Sequence, residues 1–228
     1  MRWIFLAPFV VLSGFCLSTK IGQAQLGVTY GDAVNLGGGC YQLTDSSMAQ
    51  RGAVWYFGTV DVSQSWEMTA NLLLGNNNSG ADGLVFVLRD PNSSNLGASG
   101  SRLGYGGNYG YEAIYPSLGV EVDTYTGALQ EDPYFDHIAI LSNGQVTHGD
   151  SAAVSMPVSA MPDSSNIEIG EEFELRVTYC ASSQLMTVFW DDQQRISEVV
   201  DLASIGANNV KWGFTAATGG AFNEHRVC

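Results

Sequence analysis

Three carboxylates and one imidazole lie close together in the sequence, at Glu121, Asp123, Asp132 and His137. Residues two apart on an extended strand point to the same side, so Glu121 and Asp123 present adjacent carboxylates while the neighbouring valines pack behind them. Like charges at that distance repel each other unless a cation lies between them. An irregular loop then leads to Asp132 and to His137, which begins a new apolar strand. The spacing predicts that four metal-ligand side chains converge on one strand–loop–strand unit.

The ligand types indicate which ions such a unit would hold. Carboxylate oxygens suit hard cations such as Ca²⁺, and an imidazole in the set admits a transition metal such as Mn²⁺. The spacing predicts a two-ion cluster in which Asp123 and Asp132 bridge. One ion also uses Glu121 and His137, and the other uses carbonyl oxygens of the loop. Taken singly, each residue has a plainer interpretation as part of a solvated strand face, but the ordered set favours metal binding.

The elements that position these side chains are predicted to be β-strands. Residues 173–179 alternate apolar with polar side chains, which is typical of a strand with one buried and one solvated face. Further segments rich in β-branched and aromatic residues are 53–60, 66–74, 83–88, 118–125, 137–141, 185–190 and 210–217. Clusters of Gly, Asn, Ser and Asp separate them, and only residues 200–205 suggest a short helical turn. We therefore expect an all-β, two-sheet antiparallel β-sandwich, with residues 92–116 as a long surface loop.

The N-terminus carries the pattern of an export signal. Arg2 precedes an apolar run over residues 3–17, and small residues lead to Ala24, after which we expect cleavage. The run is shorter than the roughly 20 apolar residues that a membrane span needs. The predicted organisation is a signal peptide at 1–24 and a single β-sandwich domain at 25–228. We expect the protein to be secreted, or to reside at the cell surface or in the periplasm.

The charge of the chain narrows the range of partners. Removing the signal leaves seven basic against 23 acidic residues, a formal net charge of −16. Such a surface repels phosphate backbones and anionic membranes, so nucleic acid is excluded as a partner and no membrane span is expected. Excess carboxylate is compatible with divalent-cation binding, although acidity also serves simply to keep an exported protein soluble.

Three cysteines remain after the expected cleavage, at Cys40, Cys180 and Cys228. Terminal strands of a sandwich are often neighbours, so we expect a disulfide between Cys40 and Cys228 and a free, buried thiol at Cys180. A lipid anchor on Cys16 is disfavoured by the bulky Phe15 before it. No pairing of cysteines has the spacing of a zinc site, and these residues are interpreted as structural.

Three motifs in linear order carry a family resemblance. The metal segment reads Val-Glu-x-Asp-x-Tyr, followed by Asp-Pro nine residues after the first Asp and His five residues later. Upstream stands Gly-Ala-Asp-Gly-Leu-Val-Phe at 80–86, and downstream Trp-Gly-Phe-Thr-Ala-Ala-Thr-Gly at 212–219. Together they resemble the legume-type (L-type, concanavalin-like) lectins in their bacterial, secreted branch. The resemblance spans nearly the whole mature chain and implies a concanavalin-like jelly roll with Ca²⁺ and Mn²⁺ as cofactors.

The resemblance also implies which residues bind a sugar. Asp82 would accept hydrogen bonds from two sugar hydroxyls, and the Ala81–Asp82 peptide would be cis. Gly106 would donate its backbone N–H to the sugar, with Gly107 as the alternative. Tyr125 would give its backbone oxygen to calcium and its ring to the pocket wall. The loop residues that would help to set specificity are Gly220 and Ala221.

One residue departs from the family pattern. Legume lectins usually place an Asn four residues after the first bridging Asp, where its side chain ligates calcium and donates to the sugar; this chain has Gly127 there. A carbonyl, a water, Glu131 or Asp136 could complete the calcium shell. Losing one such hydrogen bond costs about 0.5–1.5 kcal/mol, which predicts weakened binding rather than none.

The resulting expectation is reversible, metal-dependent binding of glycans or glycoconjugates without catalysis. A glycoside hydrolase on the same sandwich is one alternative, but its Glu-x-Asp-x-Glu pattern ends here in Tyr125, so the second carboxyl is missing. A structural or adhesive module that has lost sugar binding is the other. His148 and His225 have no recognisable nucleophile context. A homodimer through a sheet face remains open.

Overall fold

The computed structural model describes residues 16, 18–22, 27–108, 110–149 and 154–228. Within these residues the chain folds into two eight-stranded β-sheets that pack face to face, as the sequence predicts. Strand pairing is antiparallel throughout the described part, except for one short parallel pair at the N-terminus. Two short 3₁₀ helices are described, η1 at Gly100–Arg102 and η2 at Leu202–Ile205. None of the described helices is long and apolar enough to cross a membrane.

The first sheet, called sheet 1, includes the strands nearest both chain ends. Its strands are β1 (Thr19–Gly22), β3 (Val34–Gly37), β4 (Cys40–Thr44), β7 (Trp66–Leu73), β12 (Glu172–Cys180), β13 (Leu185–Trp190), β14 (Gln193–Val199) and β16 (His225–Val227). Their spatial order is β14-β13-β12-β7-β16-β4-β3, and β1 pairs with β7.

The second sheet, called sheet 2, carries the predicted metal segment near its middle. Its strands are β2 (Gly27–Gly31), β5 (Arg51–Tyr56), β6 (Val60–Asp61), β8 (Gly83–Arg89), β9 (Ser117–Asp123), β10 (His137–Ser142), β11 (Val158–Ser159) and β15 (Asn209–Ala217). Their spatial order is β11-β10-β9-β8-β15-β5-β2, and β6 pairs with β15.

The main hydrophobic core lies between the two sheets. Alternate residues of each strand enter it, for example Phe86 of β8 and Val120 and Val122 of β9, opposite Met68 and Leu72 of β7. Burying each such side chain contributes about 1.5–3 kcal/mol of hydrophobic free energy. Because Val120 and Val122 point into this core, the residues between and after them must point to the outer face of sheet 2.

A second, smaller core lies on that outer face. Val85 and Leu141 of the sheet pack there with Leu103, Tyr105 and Ile114, all of them buried. The last three come from residues 92–116, so the segment predicted to be a long surface loop is instead a packed cover that contains η1. This segment covers the middle of sheet 2. It leaves the ends of β8 and β9 uncovered, where the predicted metal segment lies.

The disulfide between Cys40 and Cys228 is confirmed, with Cα atoms 4.1 Å apart. It joins β4 to the residue after β16, which are neighbouring strands of sheet 1. The expectation of a free Cys180 is wrong for this chain, because Cys180 is bonded to Cys16, whose Cα atom is 5.8 Å away. The sequence-based interpretation had discarded Cys16 with the signal peptide. Most of the predicted signal peptide, including Ala24, lies outside the described residues, and its cleavage stays a prediction.

Candidate functional site

The first half of the site is set by strand register. In the pairing of β9 with β10, Asp123 lies opposite His137 and Glu121 lies opposite Ala139. These side chains point to the outer face of sheet 2, since their neighbours on both strands fill the main core. The small side chain of Ala139 faces Glu121 across the pair. Register alone therefore brings two carboxylates and one imidazole to one patch, as the sequence predicts.

The loop between β9 and β10 folds around its own carboxylates. The Tyr125 N–H donates to Asp123 Oδ1 at 2.7 Å, and the Gly127 N–H donates to Asp132 Oδ2 at 2.8 Å. Each carboxylate thus uses one oxygen to hold the loop. Asp132 Oδ1 is buried and receives no hydrogen bond from the described residues, and neither does Glu121 Oε1. Buried oxygens without donors are rare in proteins and are what a cation would satisfy.

A second imidazole, His148, completes the cluster and was missed from the sequence. Its Nε2 lies 3.0 Å from Glu121 Oε1, 3.2 Å from Asp132 Oδ1 and 3.1 Å from His137 Nε2. His137 Nε2 lies 3.5 Å from Glu121 Oε1 and 3.9 Å from Asp132 Oδ1. All four side chains are 1–2% exposed. His148 comes from a loop with no strand periodicity, so no spacing signal pointed to it.

The electrostatics of the cluster are those of a cation site. Burial raises the pKa of Asp123 well above its ordinary value, and the nearby charges of Asp132 and Glu121 raise it further. Burial also opposes ionisation of Glu121, but contact with His137 and His148 outweighs it and lowers the pKa of Glu121. Asp132 and Glu121 in turn raise the pKa of His148 to about 9, against the effect of burial. The crowded carboxylates therefore fit the predicted divalent cations, which would relieve the repulsion of Asp123 by Asp132 and Glu121.

Asp82 lies beside this cluster, at the bottom of an open cleft of about 640 Å³. Its backbone N–H donates to the Ala217 carbonyl at 3.0 Å, and its own carbonyl accepts from the Thr124 N–H at 2.9 Å. The Ala81–Asp82 peptide is cis, in agreement with the resemblance. Asp82 is 3% exposed, and its Oδ2 has no hydrogen-bond partner among the described residues. Burial, together with the charge of Asp132, raises the pKa of Asp82 to about 7.

The walls of the cleft come from the loop after β9 and the loop after β15, together with two residues of the segment after β8. Those lining residues that the sequence singled out are Asp82, Tyr125, Gly127, Gly220 and Ala221. The loop between β9 and β10, called the metal loop, and the loop after β15 thus meet over Asp82. A ligand in the cleft would touch both loops.

A family model described as the legume lectin β-barrel domain matches residues 18–228. The chain belongs to the legume lectin family. Among solved legume lectins, lectin II from Ulex europaeus superimposes with a TM-score of 0.71 at 25% identity, covering 88% of this chain and 89% of that one. The basic winged bean lectin solved with Tn-antigen gives the same TM-score and coverage at 23% identity. The fold is thus the carbohydrate-binding fold of the legume lectins.

The curated relatives include a plant lectin and a bacterial adhesin. The seed lectin of Styphnolobium japonicum is 32% identical over 144 residues, which cover 61% of this chain and 44% of the relative. The serine-rich adhesin for platelets of Staphylococcus aureus (strain MRSA252) is 25% identical over 210 residues, which cover 83% of this chain and 15% of the adhesin. The matched part spans less than half the length of either relative.

The structure does not bring the two glycines expected to face the sugar of a legume lectin into the cleft. The Gly106 N–H already donates to the Arg102 carbonyl at 2.8 Å, and Gly107 packs near Ala113. Gly100 and Ser101 line the cleft instead. Gly100 has a φ of 67°, in the left-handed region that favours glycine, but nothing in the sequence separates it from the other glycines of this segment.

The space that an Asn side chain would enter at position 127 is occupied by the side chain of Gln130. The sequence analysis did not single this residue out. A Cβ built on Gly127 would lie 2.6 Å from Gln130 Oε1 and 2.9 Å from Asp132 Oδ2. Gln130 is 4% exposed and also lines the cleft. Glu131 and Asp136, which the sequence analysis considered as calcium ligands in place of the missing Asn, point elsewhere. Glu131 packs against Gly149, and Asp136 accepts a hydrogen bond from the Ile167 N–H.

Proposed function

We propose that this chain is an exported lectin that binds a glycan reversibly in the cleft above Asp82, with a two-ion metal site as support. The observation that carries the proposal is Asp82 itself. It is buried, its backbone is held on both sides, and its carboxylate oxygen Oδ2 lines an open cleft and accepts no hydrogen bond from the part of the chain that the structure describes. A buried acceptor without a partner is costly, and hydroxyl groups of a sugar would satisfy it.

The metal site supports the cleft through the shared loop. We expect Glu121, Asp123, Asp132 and His137 to hold the transition-metal ion, and Asp123, Asp132 and the Tyr125 carbonyl to hold Ca²⁺. When bound, the cations neutralise the clustered carboxylates and keep the loop closed against Asp82. Thr124, which donates to the Asp82 carbonyl, directly follows Asp123, so the two sites are joined by a single peptide.

Gln130 is proposed to take over the role of the Asn that legume lectins carry at position 127. Its amide oxygen lies where the side chain of residue 127 would begin, beside Asp132. An amide can present its oxygen to a cation and its nitrogen to a ligand at the same time. The Gly127 departure then preserves both functions, because a larger side chain at position 127 would collide with Gln130.

The glycan is proposed to be neutral. Its polar contacts would come from the Asp82 carboxylate and from backbone groups of the loops, while Asp82 and the metal-loop acids disfavour an acidic ligand. Tyr125 and Phe222 are 45% and 37% exposed and offer aromatic faces for stacking near the cleft. A few hydrogen bonds plus stacking give modest affinity per site, which pairing of two copies through a sheet face would raise.

Binding without bond cleavage is the corresponding proposal on chemistry. Retaining hydrolysis needs a second carboxyl group about 5 Å from the first, and Tyr125 stands where the hydrolase pattern has it. Glu121 is 1% exposed and contacts both histidines of the cluster, so it faces the metal position and not the cleft.

Export is proposed from the N-terminal pattern, and the disulfide between Cys40 and Cys228, which the cleavage would leave intact, supports it. We also place the chain in the bacterial branch of the family, supported by the match of 83% of the chain to the staphylococcal adhesin. The intact mass of the exported protein tests cleavage after Ala24, which would remove Cys16 and hence its bond to Cys180.

A glycan array tests the sugar-binding proposal. The purified protein is applied in buffer with Ca²⁺ and Mn²⁺, and in parallel with a chelator, while reducing-end release is measured on a panel of oligosaccharides. We expect hits that vanish with chelator and no release of reducing ends. Release that disappears in a Glu121→Gln variant would instead identify a hydrolase.

A further inference from the structure

His148 is the member of the metal cluster that neither the sequence motif nor the family resemblance assigns. It lies 11 residues beyond His137 and outside the strand–loop–strand unit. Its ring is almost fully buried, and its Nε2 faces the Nε2 of His137 at 3.1 Å with the two rings nearly perpendicular. Its backbone N–H donates to the Gln130 carbonyl at 2.8 Å, which attaches this residue to the metal loop.

The distances among the cluster atoms are those of ligands that share one ion. With metal–ligand bonds of about 2.0–2.2 Å, neighbouring ligand atoms lie about 3.0 Å apart in an octahedral shell and about 3.4 Å apart in a tetrahedral one. The five measured separations among Glu121 Oε1, Asp132 Oδ1, His137 Nε2 and His148 Nε2 run from 3.0 to 3.9 Å. The set Glu121, His137 and His148 meets the requirement for a metal-holding group without Asp123.

The geometry of the contacts favours a shared ion over a simple ion pair. His148 Nε2 lies 3.0 Å from Glu121 Oε1 and 3.2 Å from Asp132 Oδ1, so it is nearly equidistant from the two carboxylates. An imidazolium that replaced the cation would aim its N–H at one of these oxygens. With His137 Nε2 also 3.1 Å from His148 Nε2, the four atoms converge on a common centre.

We propose that His148 supplies a second imidazole ligand to the transition-metal ion, so that this position is selective for nitrogen-preferring ions such as Zn²⁺, Co²⁺ or Ni²⁺ over Mn²⁺. Two imidazoles with carboxylates suit zinc and nickel, whereas carboxylates with a single imidazole and waters suit manganese. The inference rests on the metal-binding part of the proposed function and deepens it by naming the ion class. The calcium position, built from oxygens, is unaffected by it.

The experiment compares wild type with His148→Gln and His148→Ala in the full chain. Metal-free protein is saturated with Ca²⁺ and titrated with Zn²⁺, Ni²⁺ or Mn²⁺ in competition with a coloured chelator. Losing the ligand should weaken Zn²⁺ and Ni²⁺ binding by roughly 10- to 100-fold, the loss seen even when only a supporting partner of a metal ligand is removed. Mn²⁺ affinity should change less, so the Zn²⁺/Mn²⁺ preference falls in both variants.

X-ray absorption of the Zn²⁺-loaded protein counts the imidazoles directly and does not depend on sugar binding. We expect two imidazoles in wild type and one in His148→Gln. His225→Gln is the matched control, because it removes a buried histidine outside the cluster, on β16 of sheet 1. The Zn²⁺ bound to this variant should keep two imidazole ligands.

The outcomes separate the inference from the function it rests on. One imidazole in wild type, or Zn²⁺ binding that is unchanged or tighter in the His148 variants, would overturn the inference and identify His148 as a positive charge that competes with the ion. No ion bound to wild type at all would overturn the metal-binding proposal itself. If His148→Gln unfolds on heating more than 10 °C below wild type, the absorption spectrum of wild type still decides.

Discussion

Asp123 and His137 lie directly opposite each other on the antiparallel strands β9 and β10, although 13 residues of loop separate them in sequence. This pairing is what converts a sequence spacing into a metal site. A shift of β10 by one residue relative to β9 would turn His137 into the main core, on the opposite face from Asp123. The loop between them is therefore closed at its base by the sheet and at its centre by its own carboxylates.

Removing divalent cations should destabilise the protein. The clustered buried carboxylates repel one another, and an ion at 100 times its dissociation constant adds about 2.7 kcal/mol to the stability of the folded state. For a chain of this size that corresponds to a fall in Tm of roughly 5–10 °C on chelation. Differential scanning calorimetry with Ca²⁺ and Mn²⁺, and with chelator, measures it. Asp123→Asn should lose the shift, and equal Tm values for wild type in both buffers would refute the prediction.

Asp82→Asn should abolish or strongly weaken glycan binding while leaving metal content unchanged. The amide keeps the shape of the side chain but removes the charge that strengthens hydrogen bonds to sugar hydroxyls, a loss of about 1.5–3 kcal/mol or roughly 10- to 150-fold in affinity. Calorimetric titration of the strongest array ligand checks this. Asp163→Asn, an exposed acid that caps a turn elsewhere, is the control and should bind like wild type. Normal affinity in Asp82→Asn would move the binding site away from the cleft.

Gln130→Ala should weaken both Ca²⁺ and sugar binding, each by about 3- to 10-fold, the value of one ordinary hydrogen bond. The alanine removes the amide that lies beside Asp132 and lines the cleft. The double variant Gly127→Asn with Gln130→Ala should recover much of the loss, because the new amide enters the space that Gln130 leaves. If the single Gln130→Ala variant binds both ligands as wild type does, Gln130 has no such role.

Acid sensitivity should depend on His225. Burial lowers the pKa of His225 to about 3, from an unfolded value near 6.5, and its Nδ1 is 2.7 Å from the Thr44 hydroxyl. The unfolded chain therefore binds a proton that the folded chain does not, so stability is full above pH 6.5 and falls towards pH 3. The slope is about 1.4 kcal/mol per pH unit for one proton. Urea unfolding of wild type and His225→Gln between pH 7 and pH 4 should give curves that converge as pH falls; parallel curves would contradict the assignment.

Strand periodicity predicted the centre of the fold well and its edges poorly. The segments that became β7, β8, β9, β10, β12, β13 and β15 were found because they are apolar on at least one face. Strands such as β12 alternate, since only the face towards the main core is buried, whereas β8 and β9 are apolar runs, since the second core buries their other face as well. The strand Gln193–Val199 is an edge strand with mostly exposed side chains, so its polar sequence had no periodic signal to detect. The packing of residues 92–116 over sheet 2 depends on tertiary contacts of Leu103 and Tyr105 that a Gly- and Ser-rich sequence hides.

The residues of the site likewise divide into those that the sequence predicts and those that it does not. Glu121, Asp123 and His137 were predictable because strand geometry orients them, and Asp132 because it closes the loop between them. His148 and Gln130 were not, since each reaches the site through a loop conformation that the neighbouring residues do not encode. Gly106 and Gly107 were predicted and Gly100 was missed for the same reason, because glycines of one loop differ only in the path that the folded backbone takes.

The most direct test of a metal-supported sugar site is one affinity measured in two states of the same protein. The strongest array ligand is titrated into metal-free protein and into protein reloaded with Ca²⁺ and a transition-metal ion, with metal content determined by elemental analysis. We expect binding to be lost or at least tenfold weaker without metal and restored on reloading, with two ions per chain. Equal affinity in both states, or a reloaded protein that contains no bound metal, would contradict the account.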